Sequence, residues 1–322
     1  LRDEHPIIPE ILRYRELAKL LGTYIDNLPG MVGKDERLHT TFLQAGSVTG
    51  RMATQNPGLQ NIPIRTEEGA KIRRAFVAER GYRLVAIDYS QIELRVAAIL
   101  SGDPKMIEIF KNGEDVHSAV ASRVFGVPED KVDREMRRRA KVINFGILYG
   151  MGVNALRQNL GETTPRAEAQ EFLTAYFHTF TTLAQYLEDT KASARKLGYT
   201  ETHFGRRRYF EGIRSSIPFV RAAAERMALN APIQGTAADI IRIAMVRVDE
   251  YLREAKLEKD VCMILQVHDE LIFEVKQSRI KEVVPKLKAI MEEAFPEKDA
   301  RGVPLLAEVK AGPNWGSLEP IT

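Results

Sequence analysis

Three adjacent polar residues, His268-Asp269-Glu270, interrupt an otherwise apolar stretch in the last quarter of the sequence. Apolar residues alternate on both sides, over residues 261–265 and 271–275, which predicts the two strands of a hairpin. Asp-Glu lacks the backbone preferences of a turn pair such as Asn-Gly or Asp-Gly, so the paired carboxylates need another explanation. A solvated hairpin tip is one explanation, and a metal-binding site is the other.

A further carboxylate, Asp88, ends the apolar segment LVAID at residues 84–88, which reads as a buried strand. Rigid strand ends commonly hold metal ligands. If this strand pairs near the hairpin, Asp88 and Asp269 can share a cation, which removes the repulsion between two close carboxylates. Mg²⁺ prefers oxygen ligands and substrate phosphates. Two such ions roughly 3.5–4 Å apart stabilise the attacking and leaving oxygens of a phosphoryl transfer.

Four residues spaced by four along the segment 134–150 form a second candidate site: Arg137, Lys141, Phe145 and Tyr149. Residues at this spacing lie along one stripe of a helix. A solvated basic face does not need two aromatic residues in line, and a core-facing stripe does not begin with Arg and Lys. The order favours a bound nucleotide, with its triphosphate held by charge at one end and its base stacked at the other.

Glu93 has a local explanation of its own. Ser90 and Glu93 have the S-x-x-E spacing of a capping box, in which the glutamate side chain reaches back to the start of its helix. This alone accounts for a glutamate at that position, so the spacing leaves a structural and a functional role for Glu93 open.

Composition limits the classes of protein that fit. The chain has 322 residues, 44% of them hydrophobic and 28% charged, which is typical of a globular protein larger than one ordinary domain. It contains no apolar run near the ~20 residues needed to cross a bilayer. The single cysteine, Cys262, excludes an internal disulfide and multi-cysteine zinc sites, and its place in an apolar strand predicts that it is packed.

Net charge is only +3, but the basic residues cluster. The segments KIRRAF, REMRRRAK and FGRRRYF, at residues 71–76, 134–141 and 204–210, each have an aromatic residue in or near them. This pattern suits a groove that follows phosphates and stacks bases, although any one cluster also fits a solvated helix face.

The elements that must position these residues are mainly helical. Periodicity predicts helices at residues 6–27, 91–100, 115–125, 134–149, 165–197, 218–252 with an interruption near Pro232, and 278–294. The strands are few and do not alternate with the helices, which favours an α+β fold over a doubly wound sheet.

Taken together, three segments resemble the motifs A, B and C of the family A DNA polymerases, the bacterial DNA polymerase I type, in the same order. They are DYSQIELR (88–95), RRRAKVINFGILYG (137–150) and QVHDE (266–270). The segments TGRMATQNPGLQNIPIRT (49–66) and NAPIQGTAAD (230–239) also resemble that family. The likeness extends over essentially the whole chain.

The resemblance implies a right-hand polymerase with a small antiparallel palm sheet, a helical fingers lobe and most of the thumb missing. The base of the thumb would comprise residues 1–30, the fingers 111–215, and the palm 31–110 and 216–322. It implies template-directed DNA synthesis in replication and repair, in which deoxynucleotides are added to a primer 3′ end with release of pyrophosphate. The cofactor would be two Mg²⁺ ions, with Mn²⁺ as a substitute.

The implied partners are primer–template DNA, deoxynucleoside triphosphates and a missing N-terminal thumb and exonuclease-like segment of a parent polypeptide, with no membrane. The implied location is the cytoplasm, in association with the nucleoid. Competing hypotheses are a single-subunit RNA polymerase, which Glu93 disfavours, and a reverse transcriptase, which would carry Tyr-x-Asp-Asp. A catalytically inactive DNA-binding module is a further alternative, and Asp88, Asp269 and Lys141 argue against it.

The resemblance also implies roles for individual residues. Asp88, Asp269 and the backbone carbonyl of Tyr89 would hold metal, with Glu270 in support. The triphosphate would be held by Arg137 and the catalytic Lys141, assisted by His117 and Gln91. Phe145 would pack on the sugar, Tyr149 would stack at the template position, and Glu93 would exclude ribonucleotides. The implied DNA contacts are Arg51, Gln234, His268, Asn230, Asn61 and Arg65.

Overall fold

The computed structural model describes residues 5–64, 66–161 and 164–321. Its helices are α1 (Ile7–Leu20), α2 (Glu67–Arg74), α3 (Ile92–Ser101), α4 (Pro104–Lys111), α5 (Val116–Phe125), α6 (Arg134–Leu148), α7 (Val153–Leu160), α8 (Arg166–Thr179), α9 (Thr181–Leu197), α10 (Pro218–Glu254) and α11 (Ile280–Glu292). Its strands are β1 (Thr41–Leu43), β2 (Ala53–Gln55), β3 (Tyr82–Tyr89), β4 (Tyr199–Glu201), β5 (Arg207–Tyr209), β6 (Val261–Val267), β7 (Glu270–Lys276), β8 (Ala307–Gly312) and β9 (Glu319–Pro320). The predicted α+β class is confirmed.

The main sheet is antiparallel, in the order β6-β7-β3-β8-β9. The predicted hairpin is confirmed as β6 and β7, and β7 in turn pairs along the whole length of β3. β3 is therefore central, and its residues 84–87 are buried. This burial explains the continuous apolar run in its sequence, since a strand covered on both faces does not alternate.

Apolar layers cover both faces of this sheet. Val85, Ile87 and Phe273 point into the larger hydrophobic core, which is built largely from the helices. Leu84 and Ala86 point to the opposite face, where Trp315 belongs to the smaller core. Complete burial of side chains of this size stabilises the fold by about 1.5–3 kcal/mol each, which fixes β3 as a rigid base for its last residues.

Helix α10 departs from the sequence prediction, because it runs without interruption through Pro232. A proline inside a helix costs about 3 kcal/mol, since it removes one hydrogen bond and crowds the preceding turn. Pro232 is buried together with Ala231 and Ile233, and packing along the helix offsets this cost. The predicted interruption is therefore wrong.

The single helix predicted over residues 165–197 is two helices, α8 and α9, which meet at Phe180. Buried Asp103 provides the reason: one of its carboxylate oxygens accepts hydrogen bonds from the backbone N–H groups of Thr182 and Leu183, at 3.1 and 3.2 Å. This carboxylate caps α9 from a distant part of the chain, and the fully buried Phe180 ring anchors the corner.

Two further findings concern the surface. Cys262 was predicted to be packed, but it is exposed because β6 is an edge strand of the sheet. Across the described ranges, no helix combines the length and apolar character that a membrane span requires. The assignment of residues to thumb base, palm and fingers stays a prediction.

Candidate active site

The two predicted metal-binding carboxylates lie at adjoining strand ends. The hairpin turns at His268 and Asp269, and His268 adopts a left-handed backbone with φ of 53°. The backbone N–H of Tyr89 donates to the carbonyl of Asp269 at 3.1 Å, and Asp88 is the cross-strand partner of Glu270. This pairing brings the end of β3 against the hairpin turn. The Tyr89 side chain is buried, and its hydroxyl donates to the Met291 carbonyl at 2.5 Å.

The electrostatics of this cluster favour a cation. Burial, and then the negative charge of Asp269, raise the pKa of Asp88 to about 6. Burial and the charge of Asp88 likewise raise the pKa of Glu270 to about 7, and burial raises that of Asp269. The Asp88 side chain is nonetheless exposed at the rim of the sheet, where an ion can reach it. A divalent ion would relieve this mutual repulsion.

The donor set matches Mg²⁺, which uses few protein carboxylates and completes its shell with water and phosphate oxygens. Asp88, Asp269 and the Tyr89 backbone carbonyl are the candidate oxygen ligands. Within the described ranges, no group of three or more His, Cys, Asp or Glu side chains is arranged to bind a metal.

Glu308 is a member of this cluster that the sequence reasoning missed. It lies on β8 as the cross-strand partner of Asp88, opposite Glu270, so three acidic residues form one row across the sheet. Its charge adds to the factors that raise the pKa of Asp88, while Lys310 acts in the opposite direction. No local signal marks Glu308, since only the pairing of β8 with β3 brings it to the site.

Glu93 lies beside these carboxylates but does not cap its helix. The N-cap of α3 is Gln91, whose side chain makes no capping hydrogen bond, so the capping-box interpretation is wrong. The reason is that Gln91 has a left-handed backbone with φ of 56°, which turns the chain before the helix begins. Non-glycine residues in this conformation are strained and cluster at functional sites.

The Glu93 carboxylate is instead a meeting point of three segments. It is only 5% exposed, and it accepts hydrogen bonds from Arg51 Nη2 at 2.8 Å and from the Tyr149 hydroxyl at 3.1 Å. Burial raises its pKa, while Arg51, Tyr149 and Gln234 act in the opposite direction. Arg51 Nη2 also lies 4.0 Å from Asp269 Oδ1, which connects Glu93 to the metal-binding candidates.

The predicted stripe on α6 leads from solvent into this network. Arg137 and Lys141 are exposed, Phe145 is half-buried, and Tyr149 ends the helix as its C-cap. Arg137 makes a bidentate ion pair with Asp115, with nitrogen–oxygen distances of 3.0 and 2.7 Å. Burial works against the charge of Asp115, but the hydrogen bonds from Arg137 and Ser118 outweigh it and lower the pKa to about 2.

His117 lies beneath the stripe and is only 3% exposed. Its ring centre is 6.0 Å from that of Phe145, and its Nδ1 accepts a hydrogen bond from the Asn144 amide at 3.0 Å. Burial lowers the pKa of His117 to about 4, so the imidazole is neutral at pH 7. With Nδ1 accepting, the proton is on Nε2, and His117 can serve a phosphate as an uncharged donor.

The predicted DNA contacts have different surroundings. Arg51 and Gln234 act on Glu93, and His268 is exposed at the hairpin turn. Asn230 is buried and donates to the Leu148 carbonyl at 3.4 Å, which links α10 to α6. Asn61 is exposed, and its backbone carbonyl accepts from Tyr24 at 2.7 Å. Arg65 lies outside the described residues.

Known proteins are similar to this chain in sequence and in architecture. The chain is 50% identical over 320 residues to the thermostable DNA polymerase I of Thermus thermophilus, a match that covers 99% of this chain and 37% of that protein. It is 48% identical over 316 residues to DNA polymerase I of Deinococcus radiodurans, covering 98% of this chain and 32% of that protein. The chain thus spans about a third of the length of these relatives.

A solved structure is similar over the same extent. The POL domain of Pol1 from M. smegmatis, in complex with DNA primer-template and dNTP, superposes with a TM-score of 0.91 at 45% identity. The match covers 98% of this chain and 55% of that one, so the small antiparallel sheet and the helical lobe are those of a polymerase domain. The sequence model of DNA polymerase family A matches residues 1–317, and the chain accordingly belongs to DNA polymerase family A.

Proposed function

We propose that this chain catalyses template-directed DNA synthesis, adding deoxynucleotides to a primer 3′ end with release of pyrophosphate. The observation that carries the proposal is the meeting of Asp88 and Asp269 at the adjoining ends of β3 and the hairpin. Asp269 is joined through Arg51 and Glu93 to the end of the α6 stripe. A catalytic pair and a nucleotide-binding helix thereby share one continuous network of contacts.

In the proposed reaction, Asp88, Asp269 and the Tyr89 carbonyl would hold two Mg²⁺ ions, for which Mn²⁺ could substitute. When bound, these ions supply positive charge to the attacking 3′-oxygen and to the leaving pyrophosphate oxygens. Glu270 supports the site from β7. The rigid strand β3 keeps these oxygen ligands in place, so little reorganisation is needed during the reaction.

The α6 stripe would bind the incoming nucleotide. Lys141 and Arg137 hold the triphosphate by charge, and neutral His117 and Gln91 add hydrogen bonds. Phe145 offers the sugar an apolar surface, and Tyr149 stacks at the template position. In the structure Arg137 is paired with Asp115. To bind a triphosphate, Arg137 must either contact both groups or leave Asp115.

Glu93 would act as the gate against ribonucleotides. Its carboxylate is held in one place by Arg51 and Tyr149, so a 2′-hydroxyl would meet a fixed and bulky group. This fixed position supports DNA synthesis over the RNA polymerase alternative. Arg51, Gln234 and His268 would contact the primer end, where minor-groove acceptors are common to all correct base pairs. The remaining proposed DNA contacts, away from the primer end, are Asn230, Asn61 and Arg65.

The proposed partners are primer–template DNA, deoxynucleoside triphosphates and a further N-terminal segment with thumb and exonuclease-like parts. The last is included because the chain spans about a third of its relatives. The proposed place of action is the nucleoid in the cytoplasm, in replication and repair.

Primer extension by this chain tests the proposal. With Mg²⁺ and the four deoxynucleotides, we expect template-dependent extension that stops when one nucleotide is withheld. Asp88→Asn should abolish extension while primer–template binding persists, because the carboxylate holds the metal and not the duplex. Binding without any extension by the unaltered chain would favour the alternative of an inactive DNA-binding module.

A further inference from the structure

Three segments meet behind Arg51: residues 44–50, the β4–β5 hairpin and the middle of α10. Gly235 on α10 allows their close approach, because a Cβ there would lie 2.6 Å from Thr202 Cγ2 and 3.4 Å from the Thr49 carbonyl oxygen. A side chain at position 235 would push the hairpin and the loop away from the helix. This junction lies outside the catalytic cluster described above.

An ion pair between a buried carboxylate and a partly exposed arginine holds the junction together. Asp239 on α10 is only 5% exposed. Its carboxylate accepts hydrogen bonds from Thr202 Oγ1 at 2.7 Å and from Arg206 Nε and Nη2 at 2.8 and 2.7 Å. A buried carboxylate is stable only when it is paired and hydrogen-bonded, and removal of one partner is strongly destabilising. The guanidinium of Arg206 therefore has one fixed position at the turn of the hairpin.

This fixed guanidinium lies against Gly50, the residue just before Arg51. Gly50 has a φ of +84°, and a Cβ there would lie 2.6 Å from Arg206 Nε. The Gly50 carbonyl accepts a hydrogen bond from Arg242 Nε at 2.8 Å, and Arg242 also donates to the Gln44 carbonyl. The backbone that leads into Arg51 is thus clamped between two arginines on different elements.

We infer that Arg206, held by Asp239, is a positioning residue for Arg51 and, through it, for the selection of the incoming nucleotide. The clamp sets where the Arg51 backbone begins, and the Arg51 side chain then reaches Glu93 at 2.8 Å and approaches Asp269 to 4.0 Å. Displacement of Gly50 would move the donor that fixes the Glu93 carboxylate. The inference rests on the proposed function for its kinetic consequences and on geometry alone for the coupling between Arg206 and Arg51.

The kinetic test uses the double variant Arg206→Gln/Asp239→Asn, which removes the guanidinium and the buried charge together, so that no carboxylate is left unpaired. We expect kcat for deoxynucleotides to fall about tenfold with KM nearly unchanged, and the preference for deoxy- over ribonucleotides to narrow. Arg51→Ala should change both quantities in the same direction. Combining all three substitutions should lower kcat and the preference for deoxynucleotides no further than Arg51→Ala alone, because Arg206 acts through Arg51.

The inference would be overturned if the double variant kept the kcat and the nucleotide selection of the unaltered chain. It would also be overturned if the fold-changes in the triple variant equalled the product of those of the double variant and of Arg51→Ala. Arg206→Lys retains the charge that Asp239 requires and should restore part of the selection, which a loss of packing alone would not predict. The matched control is Arg253→Gln, which removes an exposed Arg–Asp pair of the same helix, 2.9 Å from Asp249. It should leave kcat and selection as in the unaltered chain.

A second measurement is independent of catalysis. Urea unfolding of Arg206→Gln, Arg51→Ala and the combination forms a double-mutant cycle. We expect the midpoint shift of the combination to be smaller than the sum of the single shifts, since each substitution loosens the same Arg51–Glu93 contact. Additive shifts would overturn the inference even if the chain polymerises. Coupled shifts in a chain that does not polymerise would support the clamp and reject the proposed function.

Discussion

The Tyr149 hydroxyl donates a 3.1 Å hydrogen bond to the Glu93 carboxylate, which ties the C-cap of α6 to the first turn of α3. Arg51 reaches the same carboxylate from the segment before β2. A carboxylate this deeply buried loses its hydration, and the two donors offset that loss. The Tyr149 hydrogen bond therefore couples α6 to the proposed gate, and a substitution in either should affect the other.

Glu93→Ala should admit ribonucleotides more readily, because it removes both the bulk and the charge proposed to lie beside the 2′ carbon. We expect the ratio of kcat/KM for deoxy- over ribonucleotides to fall about tenfold or more. Tyr149→Phe leaves the carboxylate in place and removes only one of its donors, so its effect should be smaller and in the same direction. An unchanged ratio in Glu93→Ala would mean that Glu93 only supports packing.

Asp88→Asn should remove much of the stabilisation that Mg²⁺ gives to the folded chain. In the metal-free protein, burial and then repulsion from Asp269 raise the pKa of Asp88 to about 6. The neutral amide relieves both costs, so the free energy of unfolding should stay equal or increase. The unaltered chain should gain thermal stability when millimolar Mg²⁺ is added, since the ion binds only the folded state. Equal gains in the two proteins would place the metal elsewhere.

The parts of the site that could be predicted from sequence are those whose signal is local. The apolar run before Asp88, the alternation around His268-Asp269-Glu270 and the four-residue spacing on α6 each specify an element and the residues on its exposed side. The hairpin and the limits of α6 follow closely from these patterns, whereas the pairing of β3 with β7 joins distant segments and does not.

The rest could not be predicted because it depends on contacts between distant segments. Glu308 joins the acidic row only through the pairing of β8 with β3, and Asp103 separates α8 from α9 by capping a helix almost 80 residues away. Glu93 has the spacing of a capping box, yet tertiary partners, Arg51 and Tyr149, take its carboxylate. In each case a long-range contact outweighs the local preference.

Arg137→Ala should weaken the use of nucleotides far more than the binding of primer–template. A hydrogen bond to a charged group is worth about 1.5–3 kcal/mol, so we expect the nucleotide KM to rise about tenfold or more. Asp115→Asn keeps the α5 cap but releases Arg137 from its ion pair, and it should lower KM instead. Arg123→Ala, on the neighbouring helix, is the control for loss of a positive charge. A loss mainly in duplex affinity would assign Arg137 to the DNA groove.

Phe145→Tyr should abolish discrimination against dideoxynucleotides. In the proposed site, the Phe145 ring would offer the sugar only an apolar surface, so the protein would not replace the hydrogen bond that a missing 3′-hydroxyl makes to its own phosphate. A tyrosine hydroxyl near the vacated position supplies such a donor, worth roughly 1.5–3 kcal/mol, or about tenfold or more in relative use. Competition between dideoxy- and deoxynucleotides on one template measures the change. Phe125→Tyr, on α5 and in edge-to-face contact with Phe172, is the control.

His117 should make the stability of the folded chain fall as the solution becomes mildly acidic. Burial lowers its pKa to about 4, whereas an imidazole in the unfolded chain titrates near 6.5. Between these two pKa values the unfolded chain binds more protons than the folded chain, so the free energy of unfolding rises with pH. The slope is at most about 1.4 kcal/mol per pH unit, and the contribution of His117 is fully present above the window.

His117→Gln keeps an acceptor for Asn144 without a titrating group, and it should reduce the difference between the urea midpoints at pH 5 and pH 7. His178→Gln, at an exposed position on α8, is the control and should keep the full difference. An equal pH dependence of stability in all three proteins would show that the pKa of His117 does not change on unfolding.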